Sequence, residues 1–166
     1  MNPQALTASI VLPTYNEKEN IQELIRQLLK SNPNDVELIV VDDNSPDMTW
    51  QIAEDMGLPQ VRVIRRFENK GVGPSIWEGI QQSRGKYVVW MDCDLTMPPS
   101  LVPQMIKLLG EYDVVVGSRY EAGGKDDRAF VRVITSRIIN LFANLVLNFK
   151  ILDYDSGFIA AQKRNI

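Results

Sequence analysis

Short apolar runs alternate with stretches of helical period along most of the chain. Residues 9–13 are β-rich and apolar and read as a buried strand. Residues 17–30 follow, with Ile21, Leu24, Ile25, Leu28 and Leu29 at helical spacing. Residues 36–41 form a second apolar strand, which ends in the turn cluster Asp42-Asp43-Asn44-Ser45-Pro46. Residues 47–56 read as a short helix capped by Asp47 and closed by Gly57, and 61–64 as a third strand. A helix is expected over 74–83, ended by Gly85, and a fourth strand over 87–91. Residues 99–109 read as a helix with proline in its first turn, where a missing N–H costs little, and 114–116 as a fifth strand. Strands that alternate with helices predict an α/β fold, a mostly parallel sheet covered on both faces.

The last third differs. Residues 129–149 are almost wholly apolar, with Arg132, Ser136, Asn140, Asn144 and Asn148 at every fourth position. That spacing is a polar seam drifting round one long apolar helix. With Arg132 and Arg137 the segment is too polar to span a bilayer comfortably. Two readings stay open for it, burial in the core and contact with a membrane surface. The sequence stops at Gln162-Lys163-Arg164-Asn165-Ile166 without a terminating signal, and the expectation is one domain over residues 1–166, truncated at its C-terminus.

Composition narrows the chemistry. The 166 residues suit one domain with a real core, 45% of them hydrophobic and 23% charged. A net charge of −3 and the lack of a basic run interleaved with aromatics argue against a nucleic-acid partner. There is no histidine, which excludes serine triads, common zinc sites and imidazole acid–base catalysis. The single cysteine, Cys93, rules out an internal disulfide. The first eight residues do not read as a signal peptide, and no apolar run reaches the roughly 18 residues of a transmembrane helix. Carboxylates, arginines, hydroxyls, backbone or a bound metal must therefore carry any reaction.

Open α/β sheets bind ligands at the carboxyl ends of their strands. Four polar clusters stand at such ends: Thr14-Tyr15-Asn16-Glu17, Asp42-Asp43-Asn44-Ser45, Asp92-Cys93-Asp94 and Gly117-Ser118-Arg119-Tyr120. In an extended segment residues two apart point the same way, so Asp92 and Asp94 can converge on one hard divalent cation, magnesium or manganese, that bridges to a diphosphate. Asp42 either accepts from a base N–H or caps its turn. Cys93 is expected to be inert and packed inward. Lys70-Gly71-Val72-Gly73 is glycine-rich but no dinucleotide fingerprint, because Ile76 stands where the third glycine belongs and no strand precedes it. Arg119 and Arg132 can each hold a phosphate through planar guanidinium donors.

These clusters, in this order, resemble family 2 glycosyltransferases of the GT-A fold, and within them the dolichyl-phosphate (polyprenyl-phosphate) mannose synthases. The likeness rests on Pro13-Thr14-Tyr15-Asn16-Glu17, the run from Val40 to Asp47, Asp92-Cys93-Asp94-Leu95 before Pro98-Pro99, and Gly117-Ser118-Arg119-Tyr120. Gly123-Gly124-Lys125, Arg132, Ser136 and Ser156-Gly157-Phe158 extend it. The resemblance implies that Pro13, Tyr15, Glu17, Val40 and Asp42 hold the nucleoside, with the Asp92-Cys93-Asp94 run completing the nucleotide-sugar site. It implies that Asp92 and Asp94 hold metal and diphosphate, and that Arg119, Arg132 and Ser136 hold the phosphate of a lipid acceptor. The synthases usually carry glutamine as a further metal ligand where this chain has Thr96, and they have basic residues beyond the point where this chain stops. The implied reaction is inverting transfer of a hexose, mannose from GDP-mannose, to a polyprenyl phosphate at the cytoplasmic face of a membrane. Competing readings are a transferase using UDP-glucose or another donor, a silent nucleotide-binding module, and a nicotinamide-dependent oxidoreductase. The oligomeric state is left open.

Overall fold

In the computed structural model, residues 6–32, 35–118 and 156–166 are described. Arg119, Arg132, Ser136 and the helix expected over 129–149 lie outside them. Four strands, β1 (Ala8–Thr14), β2 (Val36–Asp42), β3 (Val61–Arg65) and β4 (Tyr87–Trp90), run parallel. Two more complete a sheet of order β3-β2-β1-β4-β6-β5, where β5 is Val114–Val116 and β6 is Ile159–Gln162. β6 is antiparallel to both its neighbours, a strand that the sequence pattern did not announce.

The central strands are apolar on both faces because both faces are covered. Ile10, Leu12, Leu38, Val40 and Val89 point into one core with α1 (Ile21–Ser31), α2 (Thr49–Asp55) and α4 (Val102–Leu108). Val11, Ile39, Val41 and Val88 alternate with them and pack on the other face with Ile80 of α3 (Val72–Gln82). The placement of α3 follows from the connections. β1 to β3 add in one direction, then the chain crosses back to lay β4 on the far side of β1. Reversing direction moves a right-handed crossover helix to the opposite face. The reversal leaves a crevice between the carboxyl ends of β1 and β4.

Three boundaries differ from the sequence pattern. α1 begins at Ile21, because Glu17 to Asn20 form a turn in which the N–H groups of Asn20 and Ile21 both donate to the Glu17 carbonyl, at 3.0 and 2.9 Å. α2 begins at Thr49, after Met48 in a left-handed conformation (φ 66°). The helix expected over 99–109 opens with one 3₁₀ turn, Pro99–Leu101: Pro103 lacks the N–H that an α-helical ladder would aim at the Pro99 carbonyl, which accepts from the Val102 N–H instead.

Gly85 closes the opposite edge of the sheet. A Cβ on it would stand 2.4 to 2.6 Å from backbone atoms of Ala8 and Ser9, and its N–H donates to the Ser9 hydroxyl at 2.8 Å. That hydroxyl donates in turn to the buried Glu37 carboxylate at 2.7 Å. Because strand backbone cannot retreat as a side chain can, Gly85→Ala is expected to destabilise the domain by at least about 2 kcal/mol in urea unfolding.

Candidate functional site

The register places Thr14 opposite Asp42 and Val11 opposite Trp90, so the ends of β1, β2 and β4 share one edge. On that edge the loops after β1 and β2 are joined by four hydrogen bonds. The Asp43 N–H donates to the Thr14 carbonyl (3.1 Å), and the Asn16 N–H to the Ser45 hydroxyl (3.0 Å). The Glu17 N–H donates to the Thr49 hydroxyl (2.9 Å) and the Lys18 N–H to Asp47 (3.2 Å). Asn16 and Asn44 both take positive φ, 62° and 56°, a conformation that asparagine tolerates better than most residues.

Asp42 is fully buried. Its carboxylate accepts from the Ser45 N–H and hydroxyl, each at 2.7 Å, and from the Thr14 hydroxyl at 3.0 Å. Val40, two residues earlier, lies wholly inside the core on the α1 side. Pro13 and Glu17 are half-buried, while Tyr15 is exposed. Glu17 accepts from the Asn20 side-chain amide at 2.9 Å. Asp47 stands just before α2, where its carboxylate accepts from the Thr49 hydroxyl (2.6 Å) and N–H (3.0 Å).

The β4 end carries the other acids. Asp92 is half-buried and Asp94 exposed, with Cys93 buried between them. Burial pushes the Cys93 thiol well up, and the charges of Glu17, Asp92, Asp94 and Asp42 push it further. The thiol is therefore protonated and inert, and the four acids that act on it come from three different strand ends. The Asp94 Oδ1 accepts from the Thr96 hydroxyl at 2.6 Å and from its N–H at 3.0 Å. Leu95, between them, is left-handed (φ 60°).

A second network, not foreseen in the sequence, fastens the glycine-rich loop after β3. Arg66 is buried and forms an ion pair with Asp43 at 2.7 Å. It also donates to Ser75, to the Asn69 carbonyl and to Glu78 (3.1 Å). The second Asp43 oxygen accepts from the Gly71 N–H at 2.6 Å. Beside it, Arg65 lies over the rings of Trp50 and Phe67, 3.9 and 5.0 Å from their centroids, and donates to Asn44 at 2.7 Å. The only sequence signal for this network was a pair of adjacent arginines at the end of a strand.

The fourth cluster enters from the far side of β4. Its Gly117 N–H donates to the Phe158 carbonyl at 2.8 Å, and the Ser156 hydroxyl to the Gly117 carbonyl at 2.6 Å. All four strand-end clusters are thus on one edge as far as Ser118, the last described residue before Arg119.

The donor set at Asp92, Asp94 and Thr96 is all oxygen, with the neighbouring thiol buried and protonated. That chemistry fits a hard divalent cation. Among the described residues no group of three or more acidic, cysteine or histidine side chains is placed to hold a metal ion by itself. Two carboxylates would supply only part of a cation's shell and leave the rest to other oxygen donors.

The family model described as glycosyl transferase family 2 matches residues 9–166, and the chain belongs to that family. It is 36% identical over 165 residues to the dolichol-phosphate mannosyltransferase of Pyrococcus furiosus, covering 95% of this chain and 47% of that protein. It is 32% identical over 165 residues to the Saccharomyces cerevisiae enzyme of the same name, covering 94% and 61%. The chain thus spans about half to three fifths of the length of these relatives. Among solved structures it is similar to the glucosyl-3-phosphoglycerate synthase of Mycobacterium tuberculosis in complex with Mn²⁺, UDP and glucosyl-3-phosphoglycerate. That match has a TM-score of 0.75 and 28% identity, and covers 96% of this chain and 57% of that one. The sheet and its flanking helices are the GT-A arrangement.

Breaking the buried pair with Arg66→Ala leaves the Asp43 charge uncompensated and is expected to cost about 3–5 kcal/mol in chemical denaturation. Partial burial opposes the charge on Asp47, but hydrogen bonds from the Thr49 hydroxyl and N–H and from the Lys18 N–H, with the Lys18 charge, outweigh it and hold this carboxyl below its ordinary value. The folded state then binds fewer protons at this site than the unfolded state. Its stabilising contribution is complete above the unfolded value of about 3.9 and is lost as pH falls through the lower folded value. Asp47→Asn is expected to reduce the drop in melting temperature between neutral pH and pH 3.

Proposed function

We propose that this family 2 chain carries the donor-binding and catalytic part of an inverting glycosyltransferase that moves a hexose from a nucleoside diphosphate sugar to a polyprenyl phosphate. The single observation that carries the reading is the convergence of the β1, β2 and β4 ends around one crevice, with Asp92 and Asp94 at its mouth. GDP-mannose is the donor favoured by the likeness to two dolichol-phosphate mannosyltransferases. A uridine donor is the second reading, favoured by the similarity to a synthase crystallised with UDP.

In this mechanism the joined β1 and β2 loops receive the nucleoside, with Pro13, Tyr15 and Glu17 lining it, Asp42 locking the loops together, and Val40 supporting them from the core. Asp92 and Asp94, with Thr96 beside them, are the residues that would hold Mg²⁺ or Mn²⁺ at the donor diphosphate. A bound divalent cation would neutralise the charge that develops on the departing diphosphate. Arg119, Arg132 and Ser136 hold the acceptor phosphate. One of its oxygens attacks the anomeric carbon while the bond from that carbon to the diphosphate breaks, through an oxocarbenium-like state. A phosphate monoester is already anionic at neutral pH, so a general base is not needed, in keeping with a chain that has no histidine. The apolar residues 129–149 would bring this domain to the cytoplasmic face of a membrane as a peripheral protein. No helix among the described residues is long and apolar enough to cross one.

Thermal-shift titration with GDP, UDP, GDP-mannose and UDP-glucose, each with and without Mn²⁺, tests the donor site. A ligand at a hundredfold excess over its Kd stabilises the fold by about 2.7 kcal/mol. The expected result is a shift that requires both Mn²⁺ and a guanine nucleotide and is abolished by Asp94→Ala. A shift with uracil ligands alone selects the second reading, and no shift with any pair overturns both. Arg132→Ala is expected to raise the KM for lipid phosphate far more than that for the nucleotide sugar. Vesicle flotation is expected to recruit the protein, and failure to float refutes the membrane assignment.

A further inference from the structure

Ser156-Gly157-Phe158 enters the sheet directly beside the Asp92 carboxylate. An ideal Cβ on Gly157 would lie 2.7 Å from Asp92 Oδ2 and 3.2 Å from both its Cγ and Oδ1. Those are the three nearest atoms, so the space that a side chain would need there is held by the Asp92 carboxyl. The Gly157 backbone is not among the positive-φ glycines, so no conformational reason for glycine competes with this one. The approach is fixed from both sides. The Ser156 hydroxyl donates to the Gly117 carbonyl at 2.6 Å and accepts from the Phe158 N–H at 3.2 Å. Gly117 in turn admits the Phe158 ring, since a Cβ on it would come within 2.7 Å of the ring Cδ1. Phe158 is buried in the main core.

We infer that Gly157 is a positioning residue for Asp92: the β6 entrance is a backbone wall whose missing side chain lets the carboxylate lie in one orientation at the mouth of the crevice. The proposal rests on the assignment of Asp92 to the metal and diphosphate made above. It adds that this geometry is set from the β5–β6 side of the sheet, away from the nucleoside loops. A methyl at Gly157 meets the tip of a side chain that can rotate rather than a backbone that cannot. The fold should therefore tolerate it while Asp92 moves.

The test is Gly157→Ala beside the parent protein and Asp94→Ala. Uptake of Mn²⁺ is followed by the loss of its free-ion electron paramagnetic resonance signal in the presence of GDP or UDP. Unliganded Gly157→Ala is expected to melt within about 2 °C of the parent. Its nucleotide-dependent Mn²⁺ affinity should fall about 10- to 100-fold, the usual loss when a residue that orients a metal ligand is altered. Metal-free nucleotide binding should be unchanged, a split that a merely structural effect would not produce. A crystal structure of the unliganded variant is expected to show the Asp92 carboxylate turned from its position in the parent. An unmoved carboxylate, or parental Mn²⁺ uptake in a variant whose carboxylate has moved, overturns the inference. If the parent itself takes up no Mn²⁺, the metal assignment falls, and the carboxylate position alone still decides whether Gly157 orients Asp92.

Discussion

At the end of β2 two neighbouring carboxylates leave the strand on opposite sides, and donors from different loops enclose each of them. Asp42 draws in Thr14 from β1 and Ser45 from its own turn. Asp43 draws in Arg66, Ser75 and the Gly71 N–H from the β3–α3 connection. Both acids are buried, so each one needs its donors as much as the donors need it. An apolar pair at these positions would leave three loops with unsatisfied groups against the core. Successive residues of a strand face opposite ways, and that geometry lets one dipeptide serve both sides of the crevice. The loops after β1 and β2 and the glycine-rich loop therefore share one point of attachment.

This attachment explains the local departures from ordinary helix starts. Glu17 and Lys18 give their N–H groups to Thr49 and Asp47 instead of beginning α1, which is why the helix starts at Ile21. Thr49 accepts from Glu17 while donating to Asp47, so the β1 loop, the β2 loop and the start of α2 form one hydrogen-bonded unit. Left-handed residues sit where that unit bends, at Asn16, Asn44 and Met48. A left-handed conformation costs a non-glycine residue about 1–2 kcal/mol, and cross-loop bonds of this density supply the compensation.

What could be read from the sequence depended on whether a feature was local. The buried parallel strands were plain, because strands covered on both faces must be continuously apolar, and 36–41 and 87–91 are nearly so. The polar clusters at their ends followed from the same reading, and the register brings those of β1, β2 and β4 to one edge. The chain gave no local sign of β6. Ile159–Gln162 contains two alanines, weak strand formers, and its place in the sheet comes from β4 and β5, distant in sequence. Arg66 was equally hidden, since nothing in its neighbourhood distinguishes a buried, paired arginine from the exposed Arg65 beside it. Glu37, inside an apolar strand, is tolerated for a similar non-local reason: Ser9 and the Arg84 N–H, both far along the chain, donate to it at 2.7 Å.

The acids at the β4 end show how a site of few charges can still be well ordered. Asp94 is exposed, and its Oδ1 is held by both donors of Thr96 across a left-handed Leu95. Asp92 is half-buried, and its carboxylate occupies the space that a side chain on Gly157 would need. One carboxylate is thus oriented from within its own loop, the other from a strand that runs in the opposite direction through the sheet. That second support is firm because Gly117 and Ser156 are hydrogen-bonded to each other, so the chain leaves the sheet after β5 and returns to it before β6 at a single point beside Asp92. An antiparallel strand inserted between β4 and β5 is what makes such a return possible: a parallel one would begin at the far edge of the sheet. The one strand that breaks the parallel order is therefore also the strand that brings the Gly117–Ser118 lead into Arg119 up against the Asp92 side of the crevice.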